Sequence, residues 1–201
     1  MTLPKRVFDI VLAMLLSVIL APVLICICVM ILAQGGGPVF YRSERMKAVD
    51  QGFMLWKFRT MTDAHADAGV SGGDKSARIT RLGARLRRYR LDELPQLINI
   101  LRGDMSFVGP RPPLRQYAVK FPEIYQQVLQ NRPGVTGLAT LHIHRFEARV
   151  LADCKSVEMT DQIYSLRCIP RKARLDLIYQ NHQSICFDCI LIWQTIRRVF
   201  G

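Results

Sequence analysis

Acidic residues are scarce in this sequence: 16 Asp and Glu stand against 28 Lys and Arg, which gives a formal net charge of +12. A balance this basic indicates an anionic partner, such as nucleic acid, anionic lipid or a phosphorylated metabolite. Nucleic acid is the least favoured of the three because no nucleic-acid recognition motif accompanies the charge. We therefore expect a lipid surface or a phosphorylated substrate, and no nucleic acid.

The six cysteines lack the spacing that a disulfide framework or a zinc site needs. Cys186 and Cys189 form one Cys-x-x-Cys pair, and neither a second such pair nor a matched pair of histidines accompanies it. We therefore expect reduced thiols: Cys26 and Cys28 inside the apolar N-terminal segment, and the other four in a cytoplasmic domain. His142 and His144 are interpreted as alternate residues of a strand rather than as metal ligands.

Only one apolar segment reaches membrane length. It runs from Val7 to Ala33 and contains a single charge, Asp9. About 20 helical residues cross a bilayer, but Pro22 removes a hydrogen bond near the middle of the segment and predicts a kink. Basic residues flank both ends, and the positive-inside rule draws both flanks to the cytoplasm. From the residues alone, a single span and a re-entrant helix are equally favoured.

The rest of the chain predicts an α+β, predominantly helical fold. We divide the chain into a membrane helix, residues 1–34, and a compact cytoplasmic domain, residues 35–201. Within that domain, short apolar runs at 39–41 and 53–58 flank a polar turn and predict a β-hairpin. Residues 63–77 have the composition of a loop.

A basic amphipathic helix is predicted over residues 78–89. Ile79, Leu82, Leu86 and Tyr89 share one face, and a stripe of arginines adjoins it. The helix suits a membrane interface, where arginines meet lipid phosphates. It equally suits a surface helix whose apolar face packs on the core. Arg87 projects away from both stripes.

A second helix is predicted to begin near Asp92, with Pro95 in its first turn. Its buried face would consist of Leu94, Leu97, Ile98 and Leu101, and Arg102-Gly103 would end it. Further helices are predicted over residues 122–130 and over most of 174–200.

Asp92 and Glu93 are the most informative pair in the sequence. A carboxylate at a helix N-terminus feels the positive end of the dipole, and with nearby arginines this favours its ionised form. An ionised Asp is able to attack phosphorus, and its neighbour is able to hold Mg²⁺. Taken alone, however, the pair is explained more simply as first-turn acids that complement the dipole.

Cation-bearing segments near the pair favour the catalytic interpretation. Residues 103–113 form a loop that holds Arg111 between prolines, and a presented arginine suits bidentate contact with phosphate. Lys57 and Arg59 lie at the end of a predicted strand, and residues 132–137 form another Pro/Gly loop led by an arginine.

Taken together, these segments resemble the small monotopic phosphoglycosyl transferases, a group of bacterial sugar transferases. The matching motifs, in order, are KFRTM (57–61), LDELPQL (91–97), GDMSFVGPRP (103–112) and RPGVTG (132–137). The likeness begins at residues 5–9 and continues through 170–176 to the C-terminal helix. Two departures stand out: the residue two before Asp92 is Arg90 rather than Ser or Thr, and residues 138–145 differ from the usual family sequence.

The resemblance implies a reaction and a location. A sugar-1-phosphate passes from a UDP-sugar to polyprenol phosphate, usually undecaprenyl phosphate, through a covalent phosphosugar–Asp intermediate, and UMP is released. The family acts at the cytoplasmic face of the bacterial inner membrane as monotopic proteins, which favours a re-entrant helix broken at Pro22. This is the first membrane step in the assembly of exopolysaccharide, capsule, O-antigen or glycoprotein glycans.

The resemblance also assigns residues. Asp92 matches the nucleophile and Glu93 the Mg²⁺-linked partner, with both carboxylates as metal ligands. The residues implied to bind substrate phosphates or the donor are Lys57, Arg59, Arg87, Arg111 and Arg145, the last in place of a family arginine one position away. The donor sugar and the oligomeric state stay open, with a homodimer as one candidate. The alternative is a non-enzymatic membrane-surface module that binds anionic lipids.

Overall fold

The computed structural model describes residues 1–34, 37–62, 78–154 and 156–200. The elements in chain order are α1 (Leu3–Ile19), α2 (Ala21–Ala33), β1 (Phe40–Met46), β2 (Gly52–Phe58), α3 (Arg81–Arg88), a 3₁₀ segment (Leu91–Gln96), α4 (Leu97–Arg102), β3 (Ser106–Val108), α5 (Arg115–Lys120), α6 (Pro122–Val128), β4 (Gly134–Thr136), α7 (Leu138–Ala152), α8 (Val157–Ile163), a π-helical segment (Tyr164–Cys168), α9 (Ile169–Asn181) and α10 (Ile185–Phe200). The predominantly helical α+β fold is confirmed. The loop predicted at residues 63–77 lies outside the described residues.

The N-terminal apolar segment forms two helices rather than one kinked helix. The axes of α1 and α2 are bent by 61° at Leu20. Pro22 lies in the first turn of α2, where its missing N–H leaves no helical hydrogen bond unmade. Among the described residues, no helix is by itself long and apolar enough to cross a membrane, whereas this bent pair together has the length and the apolar composition to do so. The predicted break is confirmed, and re-entrance stays a prediction.

Polar contacts join α1 to distant parts of the chain. The Lys5 ammonium lies 2.5 Å from a carboxylate oxygen of Asp188 in α10, and both side chains are buried. Arg6 donates to the carbonyls of Ile100 and Leu101 at the C-terminal end of α4, at 2.6 and 3.0 Å. Cations at this end of a helix satisfy carbonyls that have no helical partner. The first helix is therefore tied both to the last helix and to the acid-bearing region.

The predicted β-hairpin is present. Strands β1 and β2 pair antiparallel from Phe40 opposite Phe58 to Met46 opposite Gly52. The first strand extends to Met46, beyond residue 41, where the apolar run ends. The added residues are mostly polar, so no apolar pattern marked them as part of a strand. Asn99 of α4 ties the hairpin to the following region: it accepts from the Trp56 N–H at 3.0 Å and donates to the Met54 carbonyl at 2.8 Å.

The two predicted Pro/Gly loops contain a pair of parallel strands that the sequence did not indicate. Ser106 pairs with Gly134 and Val108 with Thr136. The approach is so close that a Cβ on Gly134 would lie 2.1 Å from the Gly109 nitrogen. Three-residue strands are too short for a periodic signal, so only the tertiary contact reveals them.

Helix α3 is shorter than predicted and is used differently. It begins at Arg81, and the Thr80 hydroxyl caps it by accepting from the Gly83 N–H at 2.9 Å. Ile79 lies before the helix in an isolated bridge to Met61. Leu86 packs in a buried cluster with apolar residues of α2 and β2. Leu86 on the apolar face of α3 therefore packs inside the protein, as the second interpretation requires. The membrane-interface interpretation is compatible with this packing and stays a prediction.

The strand predicted around His142 and His144 is wrong. Both residues lie in α7, a 15-residue helix. Alternation over so few residues is a weak signal, and packing against α9 and α10 favours the helix. The other predicted helices are confirmed as α6 and, with a break at residues 182–184, α9 and α10. The largest apolar core is formed by α5, α6, the π-helical segment and α9. All six cysteines are free thiols.

Candidate active site

The acid pair lies on a tight 3₁₀ segment, Leu91–Gln96, rather than in the first turn of an α-helix. Pro95 lies inside this segment, and α4 follows until Gly103 ends it with a φ of +86°. The predicted end of the helix at Arg102-Gly103 is confirmed. The predicted buried face of this helix is partly wrong, because Leu101 is exposed and Ile100 is buried. A 3₁₀ turn takes 3.0 residues instead of 3.6, which changes the phase of every side chain after it.

Arg90 enters this segment in a left-handed conformation, with a φ of +55°. It is the one non-glycine residue with positive φ among those described. Such a conformation costs about 1–3 kcal/mol and is typical of functional sites. It turns the Arg90 guanidinium back onto Glu93, at 2.7 Å from Oε2.

Glu93 is buried and has three cationic partners. Its Oε1 accepts from Lys57 at 2.8 Å and from Arg111 at 3.1 Å, and its Oε2 accepts from Arg90. Burial alone would raise the pKa of Glu93, but the three cations outweigh burial and hold that pKa well below its ordinary value. Glu93 is therefore ionised at neutral pH, and cations from three segments of the chain surround it.

Asp92 is equally buried but has no hydrogen-bond partner for its carboxylate among the described residues. Burial raises its pKa, and the positive charges of Lys57, Arg87 and Arg90 oppose that rise. The expectation that a helix N-terminus and nearby arginines lower the pKa of Asp92 is therefore wrong in direction. A six-residue 3₁₀ segment has only a small dipole, and loss of hydration dominates.

Arg87 stands on the Asp92 side of the site. Its Nε donates to the Thr60 hydroxyl at 2.9 Å, and its charge acts on Asp92. Thr60 is buried where β2 ends, and the first turn of α3 packs against it. This contact holds Arg87 out of both helical stripes, as the sequence predicted.

The other predicted cations divide into two groups. Lys57 and Arg111 contact Glu93, and the buried prolines 110 and 112 on either side of Arg111 present its exposed side chain. Arg59 and Arg145 lie elsewhere: the guanidinium of Arg59 lies against Gly37, and Arg145 is exposed on α7. Neither donates to the acid pair among the described contacts, so their substrate-binding roles stay predictions.

Sequence reasoning missed Arg90 and Thr60. Arg90 was noted only as an absent helix cap, although its position three residues before Glu93 is a usable signal for an ion pair. Thr60 gave no signal, because it meets Arg87 only through the tertiary packing of β2 against α3.

The two carboxylates of the acid pair are the candidate ligands for Mg²⁺. Among the described residues, no group of three or more His, Cys, Asp or Glu side chains could hold a metal ion. Mg²⁺ commonly takes only one or two protein carboxylates and fills its octahedron with water and substrate phosphate. Asp92 and Glu93 fit that limited share, and the metal would have to share Glu93 with its cations.

Two adjacent buried acids, ringed by lysine and arginine from several segments, make a site suited to a phosphorylated substrate. Comparison with known proteins agrees. The family model of the bacterial sugar transferases matches residues 1–201. The chain belongs to that family.

Several named relatives are similar to this chain over most of its length. A UDP-glucose:undecaprenyl-phosphate glucose-1-phosphate transferase of Escherichia coli is 35% identical over 98% of this chain and 40% of its own length. A protein of the same name from Caulobacter vibrioides is 36% identical over 88% of this chain and 72% of its own length. An N-acetylgalactosaminephosphotransferase of Aeromonas hydrophila, which uses the UDP-sugar and undecaprenyl phosphate according to its name, is 29% identical over 97% of this chain and 43% of its own length. The chain thus spans about two fifths of the length of the first curated relatives it matches.

Proposed function

We propose that this protein is a phosphoglycosyl transferase that moves a sugar-1-phosphate from a UDP-sugar to undecaprenyl phosphate. The observation that carries the proposal is the asymmetry of the acid pair. Glu93 is bound by Lys57, Arg90 and Arg111, whereas the adjacent Asp92 keeps its lone pairs and faces three cations. A carboxylate in that state is suited to attack phosphorus, and the cations are suited to neutralise the phosphoryl charge.

The reaction takes two steps. A carboxylate oxygen of Asp92 attacks the phosphorus that bears the sugar, and the bond from that phosphorus to the bridging oxygen breaks. The electron pair leaves with UMP, and the sugar phosphate is held on Asp92 as an acyl phosphate. An oxygen of the lipid phosphate then attacks the same phosphorus, which restores the Asp92 carboxylate and gives a polyprenyl diphosphosugar.

The cations have separate tasks in this scheme. The charges of Lys57, Arg87 and Arg90 oppose the effect of burial on Asp92 and favour the ionised form that attacks. Arg111 is the most exposed partner of Glu93 and is the one best placed to turn towards an incoming diphosphate. Mg²⁺, held by Glu93 and Asp92 with the diphosphate, would supply Lewis-acid neutralisation of the phosphate oxygens.

The bent pair α1–α2 is proposed to dip into one leaflet from the cytoplasmic face of the inner membrane and return. Two observations support this: the 61° bend and the exposed apolar side chains along both helices. Such a dip would place the acid pair, which α1 contacts through α4, near the level of lipid phosphates. Both charged flanks would stay in the cytoplasm.

A panel of UDP-sugars tests the function. Detergent-solubilised protein is mixed with undecaprenyl phosphate, Mg²⁺ and one donor at a time, and UMP is measured. The names of the relatives make UDP-glucose and UDP-N-acetylgalactosamine the first donors to try. We expect continuous UMP release with at least one donor only when the lipid is present, whereas the donor alone should give at most one UMP per protein molecule. Tight binding to anionic vesicles with no UMP from any donor would favour the non-enzymatic lipid-binding module instead.

A further inference from the structure

Arg45 lies on β1 beside the acid pair and has no assigned role. The antiparallel register sets Arg45 opposite Phe53 and Tyr41 opposite Lys57. Side chains two residues apart on a strand share a face, and directly paired residues share it too. Arg45 therefore lies on the hairpin face from which Lys57 reaches Glu93.

Arg45 differs from the other cations of this site in having no protein partner. Lys57, Arg90 and Arg111 all bind Glu93, whereas no hydrogen bond or ion pair holds Arg45 among the described residues. Its Nε is buried without a partner. On the same face, the Ser43 hydroxyl is also buried and without a partner among the described residues. Arg45 and Ser43 thus present two unpaired donors on the hairpin face that also carries Lys57.

The charges around Arg45 make this arrangement costly. Burial and the charge of Arg111 lower the pKa of Arg45 to about 10, and the weaker attraction of Glu93 does not compensate. A partly buried cation without a counter-ion destabilises a fold. Departures of this kind are expected where a ligand supplies the missing charge.

The chemistry of that ligand follows from the donors. The guanidinium groups of Arg45 and Arg111 interact electrostatically, and guanidinium N–H groups match the oxygens of a phosphate. The Ser43 hydroxyl adds a neutral donor that suits the same oxygens.

We propose that Arg45 is a further substrate-binding residue, whose guanidinium acts with that of Arg111 to bind a phosphoryl group of the substrate. The inference rests on the proposed transfer reaction. The phosphoryl group belongs either to the donor diphosphate or to the lipid phosphate, and the two half-reactions distinguish these sources.

The test compares Arg45→Gln with Arg42→Gln. Arg42 lies on the same strand but on its opposite face, exposed and 5.3 Å over the ring of Trp56, so the control removes the same charge outside the site. UMP formed from the donor alone reports the first half-reaction, and turnover with added undecaprenyl phosphate reports the second. Loss of one charged hydrogen-bonding group predicts a rise in one KM of about ten- to a hundredfold.

The pattern of the change identifies the source. If Arg45→Gln raises the donor KM for UMP formation from the donor alone, Arg45 binds the donor diphosphate. If that first half-reaction is unchanged and the acceptor KM for turnover is raised, Arg45 binds the lipid phosphate. Arg45→Lys should recover part of the loss because it keeps the charge. The melting temperature of Arg45→Gln should equal or exceed that of the wild type, because an unpaired buried charge is removed. A lower melting temperature with unchanged KM values would make Arg45 structural and overturn the inference.

Binding of UDP, measured by calorimetry, separates the two proposals. If the wild type binds UDP but releases no UMP, and Arg45→Gln binds it more weakly than Arg42→Gln does, the transfer reaction fails and the Arg45 site stands. If UDP binding and both KM values are equal in the two variants, the Arg45 inference is overturned while the transfer reaction is untouched.

Discussion

Two buried ion-pair clusters of this protein differ in how their cations are exposed. The Lys5–Asp188 pair is sealed, with 4% and 0% of the side chains exposed. Around Glu93, the side chains of Lys57, Arg90 and Arg111 keep 17, 29 and 40% of their surface exposed. Both clusters contain a buried carboxylate at bonding distance from a cation, so burial of the acid alone does not distinguish them.

The difference in exposure indicates a structural role for the Lys5–Asp188 pair and a substrate-binding role for the cations around Glu93. Lys5 and Asp188 lie 183 residues apart, and with the Tyr179 hydroxyl, 2.6 Å from Asp188, they join the first helix to the last two. No anion could reach Lys5 without unpacking those helices. Arg111, in contrast, could leave Glu93 for a phosphate with only a side-chain rotation. The following tests break or sharpen this comparison, from the largest expected effect to the smallest.

Replacing Asp92 by Asn should abolish transfer, with a loss of at least about 1,000-fold, because the amide cannot form the acyl phosphate. The melting temperature should not fall, since a buried acid with a raised pKa is removed. UMP release and thermal unfolding of the same preparation check both statements. Wild-type rates in this variant would show that Asp92 is not the nucleophile.

Replacing Asp188 by Ala should have the largest effect on stability, a loss of about 3–5 kcal/mol, because it removes the hydrogen-bonded partner of the buried Lys5 ammonium and leaves only the charge of Asp9 nearby. Denaturant unfolding in detergent measures the loss. The matched control is the double variant Lys5→Met with Asp188→Leu, which removes both charges and should recover most of the stability. A single variant as stable as the wild type would contradict a structural role for the sealed pair.

Replacing Glu93 by Gln should cost less stability than Asp188→Ala, about 1–3 kcal/mol, because the three cations that lose their carboxylate partner are partly hydrated. The pKa of Glu93 is lowered in the folded state, so its stabilising effect is complete above the ordinary value of 4.5 and is lost as the pH falls through the folded pKa. The difference in unfolding free energy between wild type and variant should therefore shrink on acidification below pH 4.5. A difference that stays constant with pH would argue against charge pairing as its origin.

Asp176 extends the comparison to a buried acid with only one opposing charge. Burial raises its pKa to about 7, against the attraction of Lys172. Between its ordinary value of 3.8 and about 7, the folded state holds a proton that the unfolded chain has lost, so stability falls as the pH rises through this window. The slope should be about 1.4 kcal/mol per pH unit near pH 5–6. Asp176→Asn should remove this slope, and the same slope in the variant would assign it to another group.

Much of the fold was predicted where the signal is local. The hairpin followed from apolar runs around a turn, and the broken apolar helix followed from Pro22 and its surroundings. The stop at Gly103 followed from the glycine itself. The errors concern segments whose conformation depends on partners: His142 and His144 lie in a helix that packs on α9 and α10.

The candidate site divides along the same line. Asp92, Glu93 and Arg111 were predicted because their motifs are contiguous, and the family they indicate is confirmed. Arg45 and Thr60 were not predicted, because each reaches the site only through the pairing of β1 with β2 or the packing of β2 on α3. Lys57 contacts Glu93 whereas Arg59 does not, and the motif that contains both residues does not show this difference. The hydrogen bonds of Asn99 hold the hairpin strand that carries Lys57 against α4.

The sequence by itself determined the family, the acid pair, the excess of positive charge and the break in the apolar helix, because these depend on residue identity and short-range conformation. Only the tertiary structure decided which acid is paired and which is left with free lone pairs, because pairing depends on the distances between side chains of separate segments. It also decided the direction of the Asp92 pKa, since burial, which the sequence does not specify, outweighs the nearby positive charges.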